Sequence, residues 1–186
     1  MLTKSKIEQS FKALNDELAQ QHLFGDILIV GGSYMVLVFD SRPATKDVDA
    51  VFKPAAELRK AALKVADNLQ LPEDWLNDGV KGFLPSKQEK IQLLSFSNLK
   101  IWVPQPEYIL AMKCVAARPD TSDRNDIVTL IQHLKLKKAE QVFEIISNYY
   151  PKRAIPPKTQ YFIEELFEKE TLGFLTRLAH RLRRRF

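Results

Sequence analysis

Two short stretches in the first third of the chain carry residue types that handle phosphate and metal ions. The apolar run Ile27-Leu28-Ile29-Val30 leads directly into Gly31-Gly32-Ser33. Glycines let the backbone turn tightly and let a ligand come close to the amides. A helix starting there aims unpaired N–H groups and a positive dipole end at whatever lies in front of it, which suits a triphosphate. The bland alternative is a Gly-Gly-Ser turn used for steric reasons alone. After thirteen further residues (34–46) comes Asp47-Val48-Asp49. Alternate residues of a strand share a face and lie about 6–7 Å apart. Two carboxylates so placed repel each other unless they are solvated or bridged by cations, and hard Mg²⁺ ions prefer such oxygens and also bind nucleotide phosphates. Here the alternative is an exposed strand face with two solvated aspartates.

These residues need elements to hold them. Ile7, Phe11, Leu14 and Leu18 recur at helical steps, which predicts a helix from about Ser5 to His22. Ile27–Val30 reads as a buried strand ending at the glycines, with Ser33 capping a helix over Tyr34–Phe39. Arg42-Pro43-Ala44-Thr45 reads as a loop, and Val48, Ala50 and Phe52 alternate with the acids as a strand. A helix is expected from Pro54 to about Leu69. The stretch from Leu71 to Lys87 is expected to be irregular. Lys90–Phe96 and Leu99–Val103 should form a hairpin turning at Ser97-Asn98. Helices are expected over Glu107–Ala117, Ser122–His133, Lys138–Tyr149, Lys158–Glu168 and Thr171–Arg184. Strands gather in the first half and helices in the second. The expected class is α+β, a small mixed-sheet core over 1–104 followed by a helical C-terminal extension, 105–186, packed on the core.

Strand, Gly-Ser turn, helix and acidic-x-acidic strand together resemble the signature of the nucleotidyltransferase superfamily. Arg42-x-x-Thr45-x-Asp47-x-Asp49 is similar to a toxin-type bacterial subgroup from abortive-infection and toxin–antitoxin systems, and to related uncharacterised proteins. Pro106-Glu107-Tyr108-Ile109-Leu110-Ala111-Met112-Lys113, then Ala117-Arg118, then Asp123-Arg124-Asn125-Asp126-Ile127, resembles the later segments of that subgroup. The resemblance covers about Val30 to Leu130. It implies that Gly32 and Ser33, with Arg42 and Thr45, hold nucleotide phosphate. It further implies that Asp47 and Asp49 bind Mg²⁺, that Lys113 faces the triphosphate, and that Asp123 and Asp126 orient it or contribute to the site. Each has a plainer alternative: Lys113 snorkelling from an apolar helix, Asp123 and Asp126 stabilising a helix dipole, Arg118 pairing with one of them. One departure stands out. Superfamily members usually supply a third carboxylate from a later strand, and Gln92 occupies the expected place, with Glu89 only at the strand's start. Glutamine is a poor metal ligand and no base.

The leading expectation is metal-dependent nucleotidyl transfer from a nucleoside triphosphate. The acceptor is left open among RNA, a protein and a small molecule, and an antitoxin protein is the partner implied by the toxin-type resemblance. Two rivals stand beside it. One is a degenerate domain that binds nucleotide or a protein partner without catalysis. The other is an RNA-binding protein driven by the basic C-terminal helix, where Arg181, Arg183, Arg184 and Arg185 supply much of the net charge of +5. That charge favours acidic partners. Cys114 is the only cysteine, so no disulfide can form within the chain, which fits a reducing cytoplasm. His22, His133 and His180 are scattered, which argues against zinc. The longest apolar stretch is broken by Gly31 and Gly32 and is too short to span a membrane.

Overall fold

The structure is a computed structural model describing residues 1–80, 89–116, 122–151 and 154–168. The chain divides into two compact units, Met1–Gln105 and Pro106–Phe186.

The first unit is built on a five-stranded mixed sheet. Its strands are β2 (Gly25–Ile29), β4 (Val48–Lys53), β5 (Leu76–Asn77), β6 (Lys90–Ser95) and β7 (Leu99–Pro104), in the order β5-β4-β2-β7-β6. β2 runs antiparallel to β4 and parallel to β7, β5 runs parallel to β4, and β6 and β7 form the antiparallel hairpin. Two helices serve this sheet, α1 (Lys4–Gln20) and α3 (Ala55–Leu69). Thr3 starts α1 by accepting the Lys6 N–H on its side chain.

Register shows why one side of the sheet is core. Ile27 pairs with Phe52 and with Ile101, and Ile29 pairs with Ala50. All five are buried, as are Leu99 and Val103 on the same face. The apolar stripe of α1 (Ile7, Phe11, Leu14, Leu18) and that of α3 (Leu58, Ala61, Ala62, Val65) are buried with them. A side chain at Gly25 would meet Leu18, Leu58 and Leu99 at 3.1–3.2 Å, so helices and sheet close together there. The opposite face carries Asp26, Leu28, Val51, Lys53, Lys100, Trp102 and Gln92 by the same register.

Some elements depart from expectation. Ala44–Thr45, expected as loop, is a short strand β3 paired antiparallel with β1 (Leu2–Thr3). Leu76–Asn77 forms β5 inside a stretch expected to be irregular. Helix α2 begins at Gly31 (Gly31–Leu37), earlier than the expected Tyr34. Its cap position is Val30, without a side-chain bond; the Ser33 hydroxyl donates back to the Val30 carbonyl at 2.9 Å and is not the cap. The turn is thus closed by backbone geometry at glycine, and the helix needs no Ser cap. The hairpin turn at Ser97-Asn98 is as expected, held from α1 by Asn15, whose Oδ1 accepts the Asn98 N–H at 2.8 Å. Within β6 a bulge falls at Leu93: Gln92 pairs with Trp102, and Leu94 with the very next residue, Ile101.

The second unit is helical: α4 (Pro106–Ala116), α5 (Asp123–His133), α6 (Ala139–Tyr149) and α7, residues 157–168. α4 packs on α5 and on α6. Ile109, Leu110, Ile127, Leu130, Val142, Ile146 and Ile163 are buried. The Arg124 guanidinium lies over the Phe162 ring, 4.7 Å from its centre. The Tyr108 ring meets Tyr149 edge-on at 5.5 Å, and burial raises the pKa of its hydroxyl. Arg118 and the expected helix over Thr171–Arg184 lie outside the described residues. Among the described residues no helix is long and apolar enough to cross a membrane.

Trp75 closes the core of the first unit. It is fully buried, lies 6.2 Å from the Phe11 ring centre, and donates its indole N–H to the Ala62 carbonyl at 3.0 Å. Trp75→Ala empties that space and strips the carbonyl of its donor. Urea unfolding of the variant is expected to show a loss of about 3–5 kcal/mol.

Candidate active site

The turn after β2 and the acidic strand β4 are in direct apposition. The Val30 N–H donates to the Asp49 carbonyl at 2.9 Å, extending the β2–β4 ladder to the turn. Gly31 then adopts φ +68°, a left-handed conformation that side chains rarely take. A Cβ at Gly31 would lie 2.6 Å from Oδ2 of Asp49, so the missing side chain makes room for the carboxylate. A Cβ at Gly32 would meet Thr45 Oγ1 at 2.5 Å and Arg42 Nη1 at 3.4 Å. The two glycines therefore face different chemistry. Gly31 fronts an acid, while Gly32 fronts a guanidinium and a hydroxyl.

Asp49 is half-buried in β4 between the buried Val48 and Ala50, the alternation of a strand with one face in the core, so it lies on the side away from α1 and α3. Asp47 is half-buried and immediately precedes the strand. Thr45 is buried on β3, anchored by pairing with β1. Ser33 is fully buried with its hydroxyl on the Val30 carbonyl, so on this side chain the turn spends its hydrogen on its own backbone.

Sequence reasoning placed the third polar position at Gln92, and the sheet order corrects this. Gln92 lies on the same face as Asp49 by register, and it is exposed. However, β2 and β7 intervene between β4 and β6. Three strand spacings put it about 14 Å from β4, beyond shared metal coordination. Ile91 is 44% exposed, and Leu93 is the bulged residue. The residue that does sit beside Asp49 is Asn77, its direct partner across β4 and β5. Asn77 Oδ1 accepts the Gly79 N–H at 3.2 Å, and the neighbouring Asp78 pairs with Arg59. The missed signal was the acid-amide pair Asn77-Asp78 following two buried apolar residues, Trp75 and Leu76. Among the described residues no three His, Cys, Asp or Glu side chains gather as a metal group.

The later residues form their own cluster in the helical unit. The Lys113 ammonium lies 2.9 Å from Asp123 Oδ1 and 2.6 Å from Asp126 Oδ2. Lys113 is 5% exposed and Asp126 1%, so this is a charge cluster withdrawn from water. It joins α4 to α5, and the Lys113 charge is already met by two carboxylates. Next to it Cys114 is fully buried, and burial pushes its thiol pKa up to about 12, against a smaller opposing influence of Lys113. An un-ionised, enclosed thiol is no nucleophile.

A mixed sheet carrying a glycine turn pressed against the acidic strand is the arrangement expected of a nucleotidyltransferase-type domain. The chain belongs to the family described as "Nucleotidyltransferase of unknown function (DUF6036)", whose family model matches residues 5–155. No curated protein and no solved structure matches the chain.

Two substitutions probe these clusters. Gly31→Ala puts a Cβ into the Asp49 carboxylate in an unfavourable backbone region. A loss of about 1–3 kcal/mol in thermal or urea unfolding is expected. Lys113→Met removes the ammonium 2.6 Å from the buried Asp126 carboxylate and is expected to cost about 3 kcal/mol, measured the same way. An unchanged midpoint would show that the cluster contributes nothing to stability.

Proposed function

We propose that this domain transfers a nucleotidyl group from a nucleoside triphosphate to an acceptor hydroxyl, with Mg²⁺ held by Asp47 and Asp49. The observation that carries the reading is the apposition of the Gly31 turn and the Asp49 carboxylate, with 2.6 Å from a built Gly31 Cβ to Oδ2. A phosphate-binding turn and a metal-binding strand have to meet in this way for one ion to touch both protein and nucleotide.

The donor set fits Mg²⁺. Asp47 and Asp49 would hold the ion through hard carboxylate oxygens, the donors that Mg²⁺ prefers. When bound, Mg²⁺ offsets phosphate charge and favours attack at the α-phosphorus, with pyrophosphate leaving. The chain's own residues supply the rest of the reading. Gly32 gives close access to backbone amides, and Arg42 beside it brings a guanidinium suited to phosphate oxygens. Asn77, opposite Asp49, presents a neutral amide where a further acid would add repulsion. Lys113, Asp123 and Asp126 fit a role in fixing α4 against α5 better than a role as a free phosphate ligand, because the ammonium is already paired twice. The toxin-type role, with an antitoxin protein as partner, is supported by the sequence resemblance alone.

The double substitution Asp47→Asn with Asp49→Asn tests the reading. Isothermal titration of the folded variant with a non-hydrolysable nucleoside triphosphate is expected to show no gain in affinity on adding Mg²⁺, whereas the parent gains tenfold or more, by an order-of-magnitude estimate. Equal metal-dependent gains in parent and variant would place the ion elsewhere.

A further inference from the structure

The sheet face that bears Asp49 has a composition of its own. Register sets out three rows across it. Val51, Leu28, Trp102 and Gln92 form the middle row. Lys53, Asp26, Lys100 and Ser95 form the row on one side. Asp49 and, across the sheet, Pro104 and Lys90 lie on the other. Lys53, Lys90, Lys100, Gln92 and Ser95 are exposed, and Trp102 is half-buried. The Trp102 indole N–H donates to Asp26 Oδ1 at 2.7 Å. That bond fixes the ring by its nitrogen edge and sets an acceptor on the one carboxylate in the basic row. Among the described residues no aromatic ring or guanidinium stacks on Trp102. A half-buried indole next to the buried Leu28, with the exposed Lys53, Lys90, Lys100 and Gln92 on its own face, matches a strand whose bases stack and whose phosphates carry the charge.

We propose that this face binds single-stranded nucleic acid, with a base on Trp102, phosphates near Lys53, Lys90 and Lys100, and Gln92 beside the stacked base. The inference rests on the nucleotidyl-transfer reading only in making that strand the acceptor. Trp102 lies two strands and two residues from Asp49, about 12 Å. Roughly one or two nucleotides match that distance, which puts a strand's terminal hydroxyl within reach of Asp49 by length; Leu28 and Val30, between them on this face, are buried. The charge complementarity is local to the sheet and does not depend on the arginine-rich end of the chain. Gln92 has both a donor and an acceptor to offer a base edge, a use that fits its place in the register better than metal binding does.

The test uses the full chain in EDTA without nucleoside triphosphate, titrated with end-labelled twelve-nucleotide single-stranded RNA and, separately, DNA of the same sequence. Anisotropy reports binding, and tryptophan emission reports stacking. The chain has two tryptophans, and Trp75 is fully buried, so quenching reports Trp102. Binding with quenching is expected. Trp102→Leu should weaken it roughly five- to a hundredfold, and Trp102→Phe should restore most of it. Lys53→Ala and Lys100→Ala should each reduce the salt slope by about 0.7. Tighter binding of RNA than DNA assigns the strand to RNA, and the reverse assigns it to DNA. Should Trp102→Leu fail to fold, the lysine variants and the emission of the parent still decide. No binding, or binding with unchanged emission and unchanged salt slopes in the lysine variants, overturns the proposal. A transfer assay separates the two readings. Transfer to another acceptor without strand binding sinks this inference alone. Strand binding with no transfer to any acceptor leaves it standing and removes the enzymatic reading.

Discussion

The close approach of Gly31 to the Asp49 carboxylate constrains everything around it. An acid and a turn can share that space only if the turn residue lacks a Cβ and accepts positive φ, and Gly31 meets both conditions. The β2–β4 ladder must then run to the very end of β2, as the Val30–Asp49 bond shows, and α2 must leave at once. Arg42 and Thr45 arrive beside Gly32 because β3 is pinned to the N-terminal residues by β1. The N-terminus of the chain thereby acts on the glycine turn, although it contributes no side chain to it.

The sheet divides the labour between its faces. One face is apolar and closed by α1 and α3, and burial there favours folding. The other carries nearly all the charged and amide groups of the strands. Two faces of opposite character are possible because β2 and β4 alternate in phase, so that Asp49 is excluded from the core by the same register that buries Val48 and Ala50. The helical unit solves a different problem. Its buried cation has two anions to answer it, which fixes α4 and α5 in one relation and leaves little freedom to Lys113.

Much of this was legible in the sequence. The periodicity of Ile7, Phe11, Leu14 and Leu18 located α1, and the alternation of Val48, Ala50 and Phe52 located β4 with its buried face. Both patterns are local and repeat often enough to be read. β5 could not be read, because two residues show no period and Leu76-Asn77 is a strand only through pairing with β4. Asn77 was missed as a neighbour of Asp49 for that reason. Gln92 lies on the face of Asp49 through its pairing with Trp102, and its distance from Asp49 depends on strand order, which the sequence of β6 does not encode. The start of α2 was misread because Ser33 has the composition of a cap and the geometry of a buried back-bonded hydroxyl.

The bulge at Leu93 has a consequence for how the molecule meets its neighbours in a crowded solution. β6 is the outer strand on its side of the sheet, and a straight outer strand offers a row of N–H and C=O groups to any extended chain that drifts past. An extra residue in mid-strand breaks the even spacing of that row and adds local twist. A visiting strand in regular register can match at most a few groups before falling out of step, and Lys90 at the strand's start would bring its charge against an apolar intruder. The irregularity that displaces Leu93 from its neighbours is thus a guard against runaway strand addition, built into the edge where the sheet would otherwise be open to growth.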